Sequence, residues 1–135
     1  MASAPLQPQD PRPIAVSPSQ LVEPPAQQTP AIRRRQAFVG DDRWMGYVIT
    51  TPGDWSGWHH HGETDTYLYV LDGELEFEYG TRGETLRFGA GDFAHMPAHV
   101  IHRERTLPGQ PAEVVLVHIG RGPSVVNVDG PGLTA

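Results

Sequence analysis

The stretch Gly53-Asp54-Trp55-Ser56-Gly57-Trp58-His59-His60-His61-Gly62-Glu63-Thr64-Asp65-Thr66-Tyr67-Leu68-Tyr69-Val70-Leu71-Asp72-Gly73 holds the densest set of metal-ligating side chains in the sequence. In an extended strand successive side chains point to opposite faces, so His59 and His61 share one face and His60 takes the other. Two imidazoles on one face make half a metal site. Tyr67 to Leu71 has strand-type composition and stops at Asp72-Gly73, a turn dipeptide. The alternating Glu74-Leu75-Glu76-Phe77-Glu78-Tyr79 beyond it reads as a second, half-exposed strand.

The same texture continues outward on both sides. Upstream, Ala37-Phe38-Val39 and Trp44 to Thr50, with Met45, Tyr47 and Ile49 alternating, read as strands that end at Thr51-Pro52-Gly53. Downstream, Gly and Pro turns separate Thr85 to Phe88, Phe93 to Met96, Val100 to Thr106, Val114 to Ile119 and a last short run, Val125 to Val128. No stretch of useful length carries a helical period. Many short strands between Gly and Pro turns make the chain all-β, a sandwich or a barrel. Residues 1–32 differ, holding eight of the fourteen prolines together with Gln, Ser and Ala. That composition predicts an extended Pro-rich arm or a disordered tail. The expected division is an arm at 1–32, a β domain at 33–129 and a short tail at 130–135.

A length of 135 residues supports one domain. The formal charge of -6 and the absence of a broad basic patch argue against a nucleic-acid partner. The one basic cluster, Arg33-Arg34-Arg35, reads first as a solvated strand or linker and second as a phosphate or carboxylate contact. No apolar run approaches the length of a membrane span, and the first residues lack the charged and apolar regions of a signal peptide, so a cytoplasmic location is expected. The chain has no cysteine, and every basic residue other than histidine is arginine. Thiolate nucleophiles, thiolate ligands, disulfides and lysine Schiff bases are thereby excluded.

Between Trp44 and Ile119 the sequence resembles the cupin superfamily. The first cupin motif is Gly, five residues, His-x-His, three or four residues, Glu, six residues, Gly, and Gly53, His59, His61 and Gly73 fall in register with it. Thr66 occupies the place of the motif's Glu. The second motif is Gly, five residues, Pro-x-Gly, two residues, His, three residues, Asn, and Gly91, Pro97 and His102 match it, with His99 in the place of the Gly and Thr106 in that of the Asn. Two motifs at the right separation are specific for a fold and much less so for a reaction.

The resemblance implies a jelly-roll cupin β-barrel with His59, His61 and His102 on its inner wall. Three imidazoles there suit a divalent transition metal, Fe(II) or Zn(II) first and Mn, Ni or Cu as alternatives, with positions left for water or substrate. With Thr66 replacing Glu, the site resembles the three-histidine centres of some cupin dioxygenases, which implies an Fe(II) dioxygenase-like enzyme for a small oxygenated organic substrate. Zn(II) in the same frame implies isomerase, lyase or polyketide-cyclase chemistry, and a third reading is a cupin that binds a small ligand or metal without turnover.

Two residues are catalytic candidates: Thr66, expected to hydrogen-bond a bound water, and His99, expected either as an acid or base at the pocket mouth or as a turn residue. Asp65 and Glu63 stand as candidate fourth ligands, although alternation turns Asp65 to the other face. His95 and His118 are read first as packing residues and second as further ligands or as partners that orient another imidazole. His60 is expected to pack away from the metal, and Tyr47, Phe77, Phe88 and Phe93 to lie in the core. The pocket is expected to be small and mostly apolar. Small cupins pair through barrel edges, so a homodimer is expected alongside the small-molecule substrate.

Overall fold

Alternating apolar and polar residues between turn dipeptides resolve into ten strands in the computed structural model, which describes residues 11–132. They are β1 (Ile32–Gly40), β2 (Arg43–Thr50), β3 (His59–His60), β4 (Asp65–Asp72), β5 (Glu74–Tyr79), β6 (Glu84–Gly89), β7 (Phe93–Met96), β8 (His102–Thr106), β9 (Ala112–Ile119) and β10 (Val126–Asn127). Two antiparallel five-stranded sheets, ordered β1-β2-β9-β4-β7 and β10-β3-β8-β5-β6, face one another as a jelly roll. No helix among the described residues is long and apolar enough to cross a membrane.

The central strands β4 and β9 contribute every second residue to the interior. Strand β4 buries Thr66, Leu68 and Val70, and β9 buries Ala112, Val114, Leu116 and His118 against them. From the opposing sheet β5 supplies Leu75 and Phe77, the latter edge-on to Phe88 at 4.9 Å between ring centroids. The phase of β2 is the reverse of the one its apolar residues suggest. Trp44, Val48 and Thr50 point inward, whereas Met45 is 40% exposed and Tyr47 donates its hydroxyl proton to Glu113 outside. The indole decides this: it lies over Gly46, where a Cβ would come within 2.4 Å of the ring and of the Arg35 carbonyl oxygen. Phe93, expected in the core, is 81% exposed, its ring 4.8 Å from that of Tyr69 on the outer face.

The described part of the Pro-rich arm, residues 11–31, is laid down on its own barrel. Two short 3-10 turns, Pro18–Gln20 and Pro25–Gln27, punctuate it. The Val22 N–H donates to the Gln36 carbonyl and the Gln36 N–H to that of Val22, at 3.1 and 2.6 Å. The Gln28 side chain accepts from the Arg34 N–H and donates to the Arg34 carbonyl, standing in for a missing strand partner. Thr29 then donates its hydroxyl proton to the Asn127 side-chain oxygen at 2.9 Å, so the arm stitches β1 of one sheet to β10 of the other. Proline-rich backbone loses little entropy on docking, which suits it to this seam. Residues 1–10 of the expected arm and 133–135 of the expected tail lie outside the described residues.

The arginine cluster is not uniformly solvated. Arg33 pairs with Glu23 and Arg35 donates to the Pro18 carbonyl, both near the surface, but Arg34, on the inward phase of β1 with Ile32, is 2% exposed. Alternation again explains the difference, because three successive residues on a strand cannot share one face.

Candidate metal centre

Strand β3 is only two residues long, yet it begins the site. His59 is the register partner of His102, the first residue of β8, so the pairing of these two strands sets the two rings side by side at 4.2 Å. His61 follows in the same phase, its ring 4.9 Å from that of His102 and 5.3 Å from that of His59. Gly62 then bends the chain with φ +59, and a Cβ there would sit 2.4 Å from the Pro123 carbonyl oxygen. The three imidazoles are buried, and one nitrogen from each lies within 4.8 Å of the others.

Hydrogen bonds define which nitrogen that is. The Nδ1 of His59 lies 3.0 Å from the Gly57 carbonyl, that of His61 2.8 Å from the Ser124 carbonyl, and that of His102 2.9 Å from the Val100 carbonyl. A carbonyl only accepts, so each Nδ1 carries the proton and donates it, leaving the Nε2 lone pair free. His59 Nε2 is buried with no partner. Burial pushes all three rings towards the neutral form, His102 down to about 4 and His59 and His61 well below the usual histidine range, with their mutual repulsion and the Arg34 charge adding to the shift of the latter two. Neutral, pre-oriented imidazoles with free Nε2 lone pairs fit a divalent transition metal.

A fourth imidazole stands beside them. His118 on β9 lies 4.9 Å from the His61 ring, and burial lowers its pKa to about 3. Its Nδ1 is 2.6 Å from the Thr66 hydroxyl and its Nε2 is buried without a partner. The Thr66 hydroxyl is thus engaged by His118, and Thr66 lines the cavity.

The remaining candidates lie elsewhere. His99 sits at the corner before β8 with φ 67, its ring Nε2 3.2 Å from Glu63 Oε1 and its side chain 59% exposed, outside the cavity lining. Asp65 faces outward, accepting from His95 Nε2 at 3.0 Å and from the Ala98 N–H at 3.3 Å, while the His95 ring stacks on Tyr67. Glu63 is also exposed. Neither acid joins the histidines, and His60, as expected, faces away, accepting the Gly62 N–H.

The cavity beside the three histidines has a free volume of about 20 Å³, room for one water-sized group, and an apolar wall that includes Leu68, Phe77, Val114 and Leu116. Two charged side chains also line it: Glu104, which sequence reasoning did not assign, and Arg34, whose cluster was read first as solvated and second as a phosphate or carboxylate contact. Glu104 accepts the Thr50 hydroxyl proton at 2.7 Å, and burial raises its pKa. Arg34 donates from Nη1 to the Gln27 carbonyl at 2.8 Å and to the Thr29 hydroxyl at 2.9 Å. Burial draws its pKa down to about 10, against the raising effect of Glu104, so it stays cationic at neutral pH. The signal for both was present in the strand period: His102-x-Glu104-x-Thr106 and Ile32-x-Arg34 each place the charged residue on the inward phase.

Residues 46–118, more than half of the chain, match the family model for the cupin domain (Cupin_2). The chain belongs to the cupin family. This cupin is 31% identical over 88 residues to the polyketide synthase CurC of Streptomyces cyaneus, an alignment that covers 64% of the cupin and 56% of CurC. It therefore spans little more than half the length of that curated relative. Among solved structures, the polyketide cyclase RemF of Streptomyces resistomycificus superposes with a TM-score of 0.70 at 21% identity, covering 87% of this chain and 86% of RemF. An uncharacterised conserved double-stranded β-helix protein of Klebsiella pneumoniae gives 0.67 at 19%, covering 88% and 100%. Oxalate decarboxylase of Bacillus subtilis, a protein with Mn(II) centres, gives 0.62 at 17%, covering 75% of this cupin and 29% of the decarboxylase. At these identities the structural likeness carries the fold.

Proposed function

We propose that this cupin is a metal-dependent enzyme that acts on a small oxygenated organic substrate by Lewis-acid chemistry of the isomerase, lyase or polyketide-cyclase kind. One observation carries the reading: His59, His61 and His102 each commit Nδ1 to a backbone carbonyl, so three neutral Nε2 donors converge on one wall of a partly enclosed cavity. Backbone carbonyls cannot swing away, and the ligand set is pre-organised before any metal arrives. A divalent metal bound there would supply polarisation of a carbonyl or enol oxygen.

The rest is the work of the chain. The apolar wall of Leu68, Phe77, Val114 and Leu116 excludes bulk water, which strengthens every electrostatic contact inside. With room for one water-sized group, the cavity takes the oxygenated head of a substrate and leaves its remainder towards the barrel mouth. The likeness to CurC, a polyketide synthase, and to RemF, a polyketide cyclase, supports polyketide-type chemistry over the Fe(II) dioxygenase reading that Thr66 suggests.

Elemental analysis of protein purified without chelator or affinity nickel tests this. About one zinc per chain, with turnover of carbonyl or polyketide-like substrates and no oxygen uptake, is the expected result. About one iron, with oxygen consumed on adding diketones or phenolic rings, would restore the dioxygenase reading. Protein with no metal and no metal affinity would overturn both.

A further inference from the structure

The three histidines do not account for the most costly group in the cavity. Arg34 is 2% exposed, its Nε is buried without a hydrogen-bond partner, and it forms no ion pair among the described residues. A guanidinium offers five N–H donors in a planar fork. Among the described residues the arm engages only Nη1, through the Gln27 carbonyl and the Thr29 hydroxyl. An arm anchor would need no more than that, and a neutral donor would serve it at far lower desolvation cost. Glu104 lines the same cavity, but its carboxylate is held by Thr50 and does not close on Arg34. Three neutral imidazoles add no negative charge to offset the guanidinium.

We propose that Arg34 is the anion-recognition residue of the pocket, its free N–H edge taking an oxyanion of the substrate, carboxylate or enolate, while a second oxygen of the same head group meets the metal. The inference rests on the metal-dependent reading and deepens it by naming the substrate class. Recognition of this kind is geometric as well as electrostatic, because the fork pairs with two oxygens or one in a fixed plane. The arm becomes part of the site through it: Gln27 and Thr29 hold the guanidinium plane, so the segment that seals the barrel seam also aims the anion receptor.

Full-length protein loaded with Co(II), whose visible bands report on what the metal binds, is titrated with formate and separately with acetylacetone, and compared with Arg34→Met. Cobalt stoichiometry should be the same in both proteins, with affinity for at least one probe about tenfold or more weaker in the variant and Arg34→Lys in between. Loss with formate alone assigns a carboxylate, and loss with acetylacetone alone an enolate. Equal affinity for both probes in wild type and Arg34→Met overturns the proposal.

A second measurement needs neither the variant nor the metal. In ¹⁵N-labelled wild-type protein the Arg34 Nε–H resonance should shift saturably with one of the probes, and a resonance that stays in place with both overturns the proposal even if Arg34→Met fails to fold. Failure of the wild type to take up cobalt would sink the metal reading by itself, and the resonance would still decide for Arg34.

Discussion

The Thr66 hydroxyl lies 2.6 Å from Nδ1 of His118, across the β4–β9 ladder where the two residues are register partners. The position at which the cupin motif carries Glu is here used to hold a fourth imidazole against the three-histidine wall. Thr66→Val removes the partner of a buried ring nitrogen and should cost about 1–3 kcal/mol by urea denaturation, with metal stoichiometry retained. Thr66→Glu should displace His118 and change the order of metal preference measured by competition. An unchanged order would count against Thr66 facing the metal.

The metal-free protein should be acid-labile. Folding lowers the pKa of His102 to about 4 and of His118 to about 3, both by burial, so between those values and about 6.5 the unfolded chain binds protons that the folded chain refuses. Unfolding therefore takes up protons, and stability falls as pH falls through that window. The loss is on the order of 2–3 kcal/mol for each of these histidines by pH 4. Urea midpoints of the metal-free protein at pH 8, 6 and 4.5 should decline in that order, and a flat series would refute the buried neutral rings.

His99 adopts φ 67 where the cupin motif has glycine. A non-glycine residue in left-handed backbone pays about 1–2 kcal/mol, part of which glycine returns as unfolded-state entropy. His99→Gly should accordingly stabilise by about 0.5–1 kcal/mol in thermal melts, with metal affinity and turnover unaltered. A fall in turnover without a fall in stability would assign His99 as an acid or base.

Thr29 links the arm to both Arg34 Nη1 and Asn127. Thr29→Val keeps the volume and removes both bonds, so a loss of about 1–3 kcal/mol is expected. A change within about 0.5 kcal/mol, the range of ordinary surface substitutions, would show that the arm is not part of the barrel wall.

Removing the metal should lower stability by mass action. A metal at one hundred times its dissociation constant adds about 2.7 kcal/mol to the folded state. Chelator treatment of the wild type should lower the melting temperature, whereas His102→Ala, deprived of one of three ligands, should show little response to either chelator or added zinc.

The strands and turns were legible because their signals are local. Alternation put His59 and His61 on one face, and the motif spacing marked His102 before any pairing was known. Alternation does not say which face is the interior. In β2 the phase of Met45, Tyr47 and Ile49 looked the better core, and Trp44 over Gly46 reversed it. Phe93 looked buried by residue type, yet it lies on the outer face of β7, the edge strand of its sheet.

The run of short strands and the turns between them follow from period-two alternation and from Gly and Pro within a few residues, and the spacing of three ligands follows from the two motifs. The neutral state of the histidines, the engagement of Thr66 by His118 and the burial of Arg34 arise from tertiary packing. Each depends on what packs across the barrel. The Ser124 carbonyl that orients His61 is 63 residues away along the chain, and Thr66 and His118 are 52 apart. Desolvation and hydrogen-bond partners of this kind come into being only when the two sheets close and the arm seals the seam between them.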